Sequence, residues 1–245
     1  MSDPAAAYNS PNYVLERPAR DRLGETLPAR VGQMAPEFEA QLLDGGTFRL
    51  RDARDTAHVV LLIGSITSPM CAINVPELNA LHAEYGGRGV QIYLVYTKES
   101  HPGERYPHHT SMEQKFAHAR DLRRLENVQF PILVDSLEGT IHQSYGNWPT
   151  SLFVVHRDGQ LVFRSTIAHA PQLRFYLGAL LEWDAMEADP ERVPHVSYTE
   201  WVLGQEADEA IHHRVYDRAG PKAFEDYWQL FPANRDRWPR PPRAR

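Results

Sequence analysis

The 245-residue chain has a single cysteine, Cys71, and Ser68 stands three residues before it in Gly64-Ser-Ile-Thr-Ser-Pro-Met-Cys71. The stretch follows an apolar run, His58-Val-Val-Leu-Leu-Ile63, so both residues fall in the first turn of a helix that leaves a strand. Two cysteines so placed would exchange thiols and disulfides, because a helix N-terminus favours a thiolate. Serine in the first position changes the chemistry. A hydroxyl does not ionise there without a strong base, and oxygen cannot cycle through the oxidised states open to sulfur. Ser68 suits a helix N-cap with Pro69 at the first helical position. Cys71 has two readings. It is a buried structural thiol on the stripe Cys71, Val75, Leu78, or a one-cysteine redox centre with Ser68 as hydrogen-bonding neighbour.

A second group, Glu99, His101, His108 and His109, crowds one polar stretch from Lys98 to Thr110. Taken alone, the stretch reads as a solvated loop whose histidines do nothing. Adjacent histidines lack regular ligand spacing and no second cysteine is available, so neither a metal nor another cofactor is expected. His212-His213 reads as ordinary helix surface.

The elements that must position these residues follow from periodicity and turn chemistry. "FEAQLLDGGTFRLRD" is a hairpin turning at Asp44-Gly45-Gly46, and "HVVLLIGS" is a strand covered on both faces. A helix with apolar Cys71, Val75, Leu78, Leu81 or His82, and Tyr85 stops at Gly86-Gly87. "GVQIYLVYT" is a second buried strand, and a helix capped by Ser111 with Gln114 in capping-box position runs to about Leu125. "FPILVD", a short helix at "GTIHQSYG", the hairpin "TSLFVVHRDGQLVFRS" and an amphipathic helix with Leu173, Leu177, Leu180 and Leu181 complete the unit. The order β-β-β-α-β-α-β-α-β-β-α predicts an α/β sandwich, a central mixed sheet with helices on both faces. Residues 1–31 read as an irregular arm, 32–187 as the α/β domain, 188–232 as a helical appendage and 233–245 as a disordered Arg/Pro-rich tail. The aromatics Trp201, Tyr216, Phe224, Trp228 and Phe231 would pack on the domain, or on a second copy to make a homo-oligomer.

A net charge of −6 argues against nucleic-acid binding. No apolar stretch reaches spanning length, so no membrane contact is expected, and one cysteine gives no sign of an oxidising compartment. A cytoplasmic protein is the expectation.

From residue 32 to 185 the pattern resembles the thioredoxin fold. Ser68-Pro-Met-Cys71 sits where that family places C-x-x-C, Pro76 follows five residues on, and Trp148-Pro149-Thr150 matches the cis-proline loop before the last hairpin. A narrower resemblance is to the iodothyronine deiodinases and their bacterial relatives, whose G-S-x-T-U-P motif reads Gly64-Ser65-Ile66-Thr67-Ser68-Pro69 here. "LVYTKESHP" is similar to their next strand end through Glu99 and His101, and "HHTSMEQK" to a further run through His109, Ser111 and Glu113. The resemblance implies an oxidoreductase with catalytic Thr67, Ser68, Cys71, Glu99, His101 and His109, the last three forming a proton relay whose imidazoles supply a group that titrates near neutral pH. Ser65, Trp148, Pro149 and Ser151 would contact a small iodinated or other aromatic substrate, and a thiol would be the reductant. Two departures stand out: Ser68 replaces the selenium or sulfur nucleophile, and Ser151 falls where those enzymes carry an arginine. Activity is then weak or lost. The alternatives are a non-catalytic thioredoxin-fold binding module and a peroxiredoxin-like thiol protein using Cys71. For the last, Ser68-x-x-Cys71 matches the T/S-x-x-C pattern, while Gly64 takes the place of its proline.

Overall fold

The computed structural model describes residues 3–14, 28–148, 150–189, 191, 208–232 and 235. Seven strands form one mixed sheet: β1 (Glu39–Leu42), β2 (Thr47–Arg49), β3 (His58–Gly64), β4 (Val90–Tyr96), β5 (Ile132–Val134), β6 (Leu152–Val155) and β7 (Leu161–Ser165). Their order across the sheet is β2-β1-β5-β4-β3-β6-β7. The central strands β3, β4 and β5 are parallel, and both edges are antiparallel hairpins. The hairpin turns fall where the glycines allow them, with Gly45, Gly46 and Gly159 all at positive φ.

Helices α2 (Pro69–Tyr85), α3 (Met112–Glu126) and α5 (Ala170–Glu187) cover one face. The short α4 (Thr140–Ser144) and the hairpin side of the chain cover the other. β3 is buried along its whole length because Val60 and Leu62 enter one layer while Val59, Leu61 and Ile63 enter the opposite one. Each such side chain contributes about 1.5–3 kcal/mol over leaving it in water. The α2 stripe lies as expected, with Cys71, Val75, Leu78, Leu81 and Tyr85 buried. Ser111 caps α3, and Gln114 Oε1 reaches back to the N–H of Thr110 rather than to Ser111 itself.

Two regions depart from expectation or refine it. The N-terminal arm is not irregular throughout: Pro4–Tyr8 forms a helix, α1, with Asp3 accepting the N–H of Ala5. Five residues are too short for helix stability of their own. α1 is held by Tyr8, whose hydroxyl meets His142 Nδ1 at 2.7 Å, and by Asn9, which donates to Leu137 O at 2.7 Å. The polar stretch after β4 is not a solvated loop. It is a docking platform for α6 (Glu209–Ala219) and α7 (Pro221–Leu230). The N–H of Arg105 donates to Ala219 O at the end of α6, and the Glu104 carboxylate accepts the N–H of Lys222 at the start of α7. Val215, Tyr216, Ala219, Ala223, Phe224 and Trp228 pack with Ala72 of α2, so these apolar faces are covered within the chain. Trp201 and the tail beyond residue 235 lie outside the described residues. Among the described residues no helix is long and apolar enough to cross a membrane.

Candidate functional site

Parallel pairing of β3 with β4 places Gly64 beside Tyr96, so the chain leaves both strands at the same end of the sheet. Loops at the carboxyl ends of parallel strands are where α/β sheets assemble sites. Here Thr97 N–H donates to Gly64 O at 3.0 Å, and Ser65 Oγ accepts the Ser100 N–H at 3.1 Å. Thr67 closes the seam. Its hydroxyl donates to Glu99 Oε2 at 2.6 Å and accepts the His101 N–H at 3.1 Å.

Ser68 has an extended backbone and caps α2, accepting the Cys71 N–H at 3.2 Å. Its hydroxyl also pairs with Thr150 Oγ1 at 2.6 Å and is buried. Cys71 is fully buried, and burial pushes its thiol far above the ordinary range, against any thiolate at neutral pH. Packing explains Gly64 as well, since a Cβ there would lie 2.6 Å from Cys71 Sγ.

Glu99 is the centre of the second group. Oε1 accepts from Tyr96 OH at 2.5 Å and lies 3.0 Å from His118 Nδ1. His109 Nε2 is also 3.0 Å from Oε1 but off the line of a hydrogen bond, and His109 Nδ1 has no partner. Burial alone would raise Glu99; His109 and His118 outweigh it and hold the carboxyl below the usual range. Burial pushes His109 down, towards neutral imidazole, and Tyr96 up.

The expected trio of Glu99, His101 and His109 therefore divides. Glu99 and His109 meet, while the His101 ring turns away to stack on Tyr13 at 4.2 Å, with Nε2 3.3 Å from Tyr216 OH. Burial lowers that ring to about 3. Of the residues expected near substrate, Ser65 lies in the seam. Trp148 is buried, its carbonyl meeting His142 Nε2 at 2.5 Å. Ser151 is buried with no hydrogen-bond partner for Oγ. Pro149, and with it the expected cis bond, lies outside the described residues.

A model of the AhpC/TSA family matches residues 31–164, more than half of the sequence. The chain belongs to the AhpC/TSA family. No curated protein matches it. Similar solved structures include a thiol:disulfide interchange protein from a Bacteroides species, 14% identical over 64% of this chain and 93% of that one, TM-score 0.51. The thioredoxin domain of a Bacteroides vulgatus thiol-disulfide oxidoreductase is 15% identical over 62% and 98%, TM-score 0.50. An uncharacterized conserved protein from Geobacillus kaustophilus is 22% identical over 62% and 82%, TM-score 0.51. At these identities the likeness shows the fold, which is thioredoxin-like.

Two residues of this AhpC/TSA chain join the site beyond those expected there: Thr150, noted in the sequence only as part of the Trp148-Pro149-Thr150 loop, and His118, not singled out in the sequence at all. Thr150 does so by pairing with Ser68 across the sheet end. His118 does so from α3, and for it a signal exists: Lys115, His118, Ala119 and Leu122 recur at helical spacing and all are buried, so two basic residues occupy an apolar stripe.

Proposed function

We propose that this AhpC/TSA protein is an oxidoreductase scaffold of deiodinase-like type whose thiol chemistry is silent, the sulfur position having become a fixed hydroxyl. One observation carries the reading. Ser68 Oγ is committed to the Cys71 N–H and to Thr150, at the helix mouth where an attacking sulfur would stand. Dithiol exchange needs one sulfur to attack and a second to resolve. The only sulfur of the pair is Cys71, buried and held as a thiol. Reductive removal of iodine from a phenol likewise needs a soft nucleophile to accept the halogen, and a capped serine is not one. The cluster of Thr67, Glu99 and His109 then survives as a buried polar frame.

Ser68→Cys tests this. It turns Ser-Pro-Met-Cys into Cys-Pro-Met-Cys at a helix N-terminus that favours a thiolate. Wild type should stay at background in dithiothreitol-driven insulin reduction and in reductive deiodination of an iodinated phenol. The variant should form an internal disulfide on oxidation and reduce insulin at least ~10-fold faster, as expected when a nucleophile is restored. Wild-type turnover equal to that of the variant would overturn the reading. So would a folded variant that neither forms the disulfide nor turns over.

A further inference from the structure

The Glu99 cluster has a feature that a proton relay leaves unexplained. The His109 side chain is fully buried, and neither ring nitrogen has a hydrogen-bond partner. A buried imidazole left this way is costly, and such an orphan in a native fold points to a water or ion. Around Nε2 stand two further donors. Glu99 Oε1 is 3.0 Å away, and His118 Nδ1 lies 3.0 Å from that same oxygen. All three atoms fall within 4.8 Å of one another, and all three residues are buried. We propose that Glu99 Oε1, His109 Nε2 and His118 Nδ1 bind one divalent first-row cation, zinc being the ion this donor set suits best.

Donor type and spacing support the assignment. Two imidazole nitrogens and a carboxylate oxygen form a common zinc set, with metal–ligand distances of about 2.0–2.2 Å and a tetrahedral edge of roughly 3.3 Å. Both edges at Oε1 are close to that value, and the edge between the rings is the one that adjusts on loading. Glu99 is prepared for the task by its other oxygen, since Oε2 takes the Thr67 hydroxyl and N–H, which fixes the carboxylate. Tyr96 OH, 2.5 Å from Oε1, is the next oxygen within reach. The closed surroundings indicate a structural ion. It would tie the stretch after β4, on which α6 and α7 dock, to helix α3. The inference stands apart from the thiol reading, since none of its ligands is Ser68 or Cys71.

The other grouping of this kind among the described residues, His58, His156 and Asp184, does not compete. There His58 Nδ1 accepts the Arg157 N–H and Nε2 faces Asp184, and both nitrogens of His156 have partners. No imidazole lone pair is left over for an ion.

The test uses the full-length chain without an affinity tag, unfolded with chelator and refolded with Co²⁺ or Zn²⁺. About one equivalent of metal should be retained after desalting, as in structural zinc sites, and the Co²⁺ form should show tetrahedral ligand-field bands. His109→Ala and His118→Ala should each weaken binding by more than the about 10–100-fold that loss of a mere outer-shell partner costs. His156→Gln should leave the metal content unchanged. Refolded wild type with no visible Co²⁺ bands and less than ~0.1 equivalent of metal, against the full occupancy of a structural site, would overturn the proposal. A full equivalent retained by a folded His109→Ala/His118→Ala double variant would do the same. The cobalt spectrum of wild type decides the matter even if neither variant folds.

Discussion

Two clusters of the same composition, one carboxylate and two histidines, sit at opposite ends of β3, the first partly and the second fully buried, and they are satisfied in opposite ways. At the amino end, Asp184 of α5 receives His58 at 2.8 Å and His156 at 3.2 Å, with Arg157 3.5 Å away. The free nitrogen of His58 is taken by a backbone N–H. At the carboxyl end, Glu99 gathers Thr67, Tyr96 and His118, but His109 Nε2 faces it at 3.0 Å without hydrogen-bond geometry and His109 Nδ1 has no hydrogen-bond partner. Composition alone would rank the two alike. What separates a structural clamp from a candidate binding site is whether every donor and acceptor is already used.

The largest effect should come from breaking the satisfied cluster. Asp184→Ala leaves His58 buried without its partner and strips Arg157 of a counter-charge. His58 is neutral in the fold, so what is lost is a charged acceptor shared by two imidazoles; a hydrogen bond to a charged group contributes about 1.5–3 kcal/mol, and the loss of two puts this case near the upper value. Urea unfolding should show a drop of about 3 kcal/mol, with zinc retention at the far end of β3 unchanged. A loss below about 1 kcal/mol would mean the amino-end cluster is no clamp.

Acid should find the same end. Burial lowers His58, ahead of the opposing pull of Asp184. Such a histidine stays neutral in the fold while the unfolded chain takes up a proton below about pH 6.5, so stability falls as pH drops through that value. Asp184 is lowered too: burial would raise it, but His156 and His58 outweigh that. Its contribution is present above about 3.8 and is lost as pH falls through its folded pKa. His142, lowered to about 3 by burial and pressed further by Lys98 and Lys115, adds a second proton to the unfolded side. Each histidine contributes up to about 1.4 kcal/mol per pH unit. His58→Gln should therefore flatten the stability profile between pH 6 and 4 by up to that slope. An unchanged profile would remove His58 from the account.

Much of this was legible in the sequence. The strand and helix order was written in apolar runs, and turn glycines marked the hairpins; Cys71 lay on a visible helical stripe. Glu99 and His109 were approachable through family resemblance, since their types and order carry the pattern. His118 was not, because nineteen residues and a β4-to-α3 crossover separate it from Glu99. Only its place beside Lys115, Ala119 and Leu122 at helical spacing hinted at it. Helix α1 was hidden for a different reason: its five residues owe their conformation to Tyr8 docking against His142, a contact 134 residues away in sequence. The direction of the His101 ring depended on α6, whose Tyr216 meets it. Local pattern could not supply these long-range partners.

The smallest effect should come from Ser68, and it sharpens the contrast between the ends. Ser68→Ala removes the cap on Cys71 N–H and the partner of the Thr150 hydroxyl. Losing a serine N-cap costs about 1 kcal/mol, so the urea midpoint should shift by about a third of the Asp184→Ala shift at equal m-value. The cavity is small and the helix keeps Pro69 at its first position, which limits any rearrangement. Cys71 should stay slow towards iodoacetamide, because its protection comes from packing against Gly64 and the core rather than from Ser68. Zinc retention should also be unchanged, since Glu99 is oriented by Thr67. If Ser68→Ala costs as much as Asp184→Ala, or exposes Cys71 to labelling at the rate of the unfolded chain, then the hydroxyl holds this end of the sheet together. The carboxyl end of β3 would then be as structural as the amino end, and the capped-serine account of the lost nucleophile would fail with it.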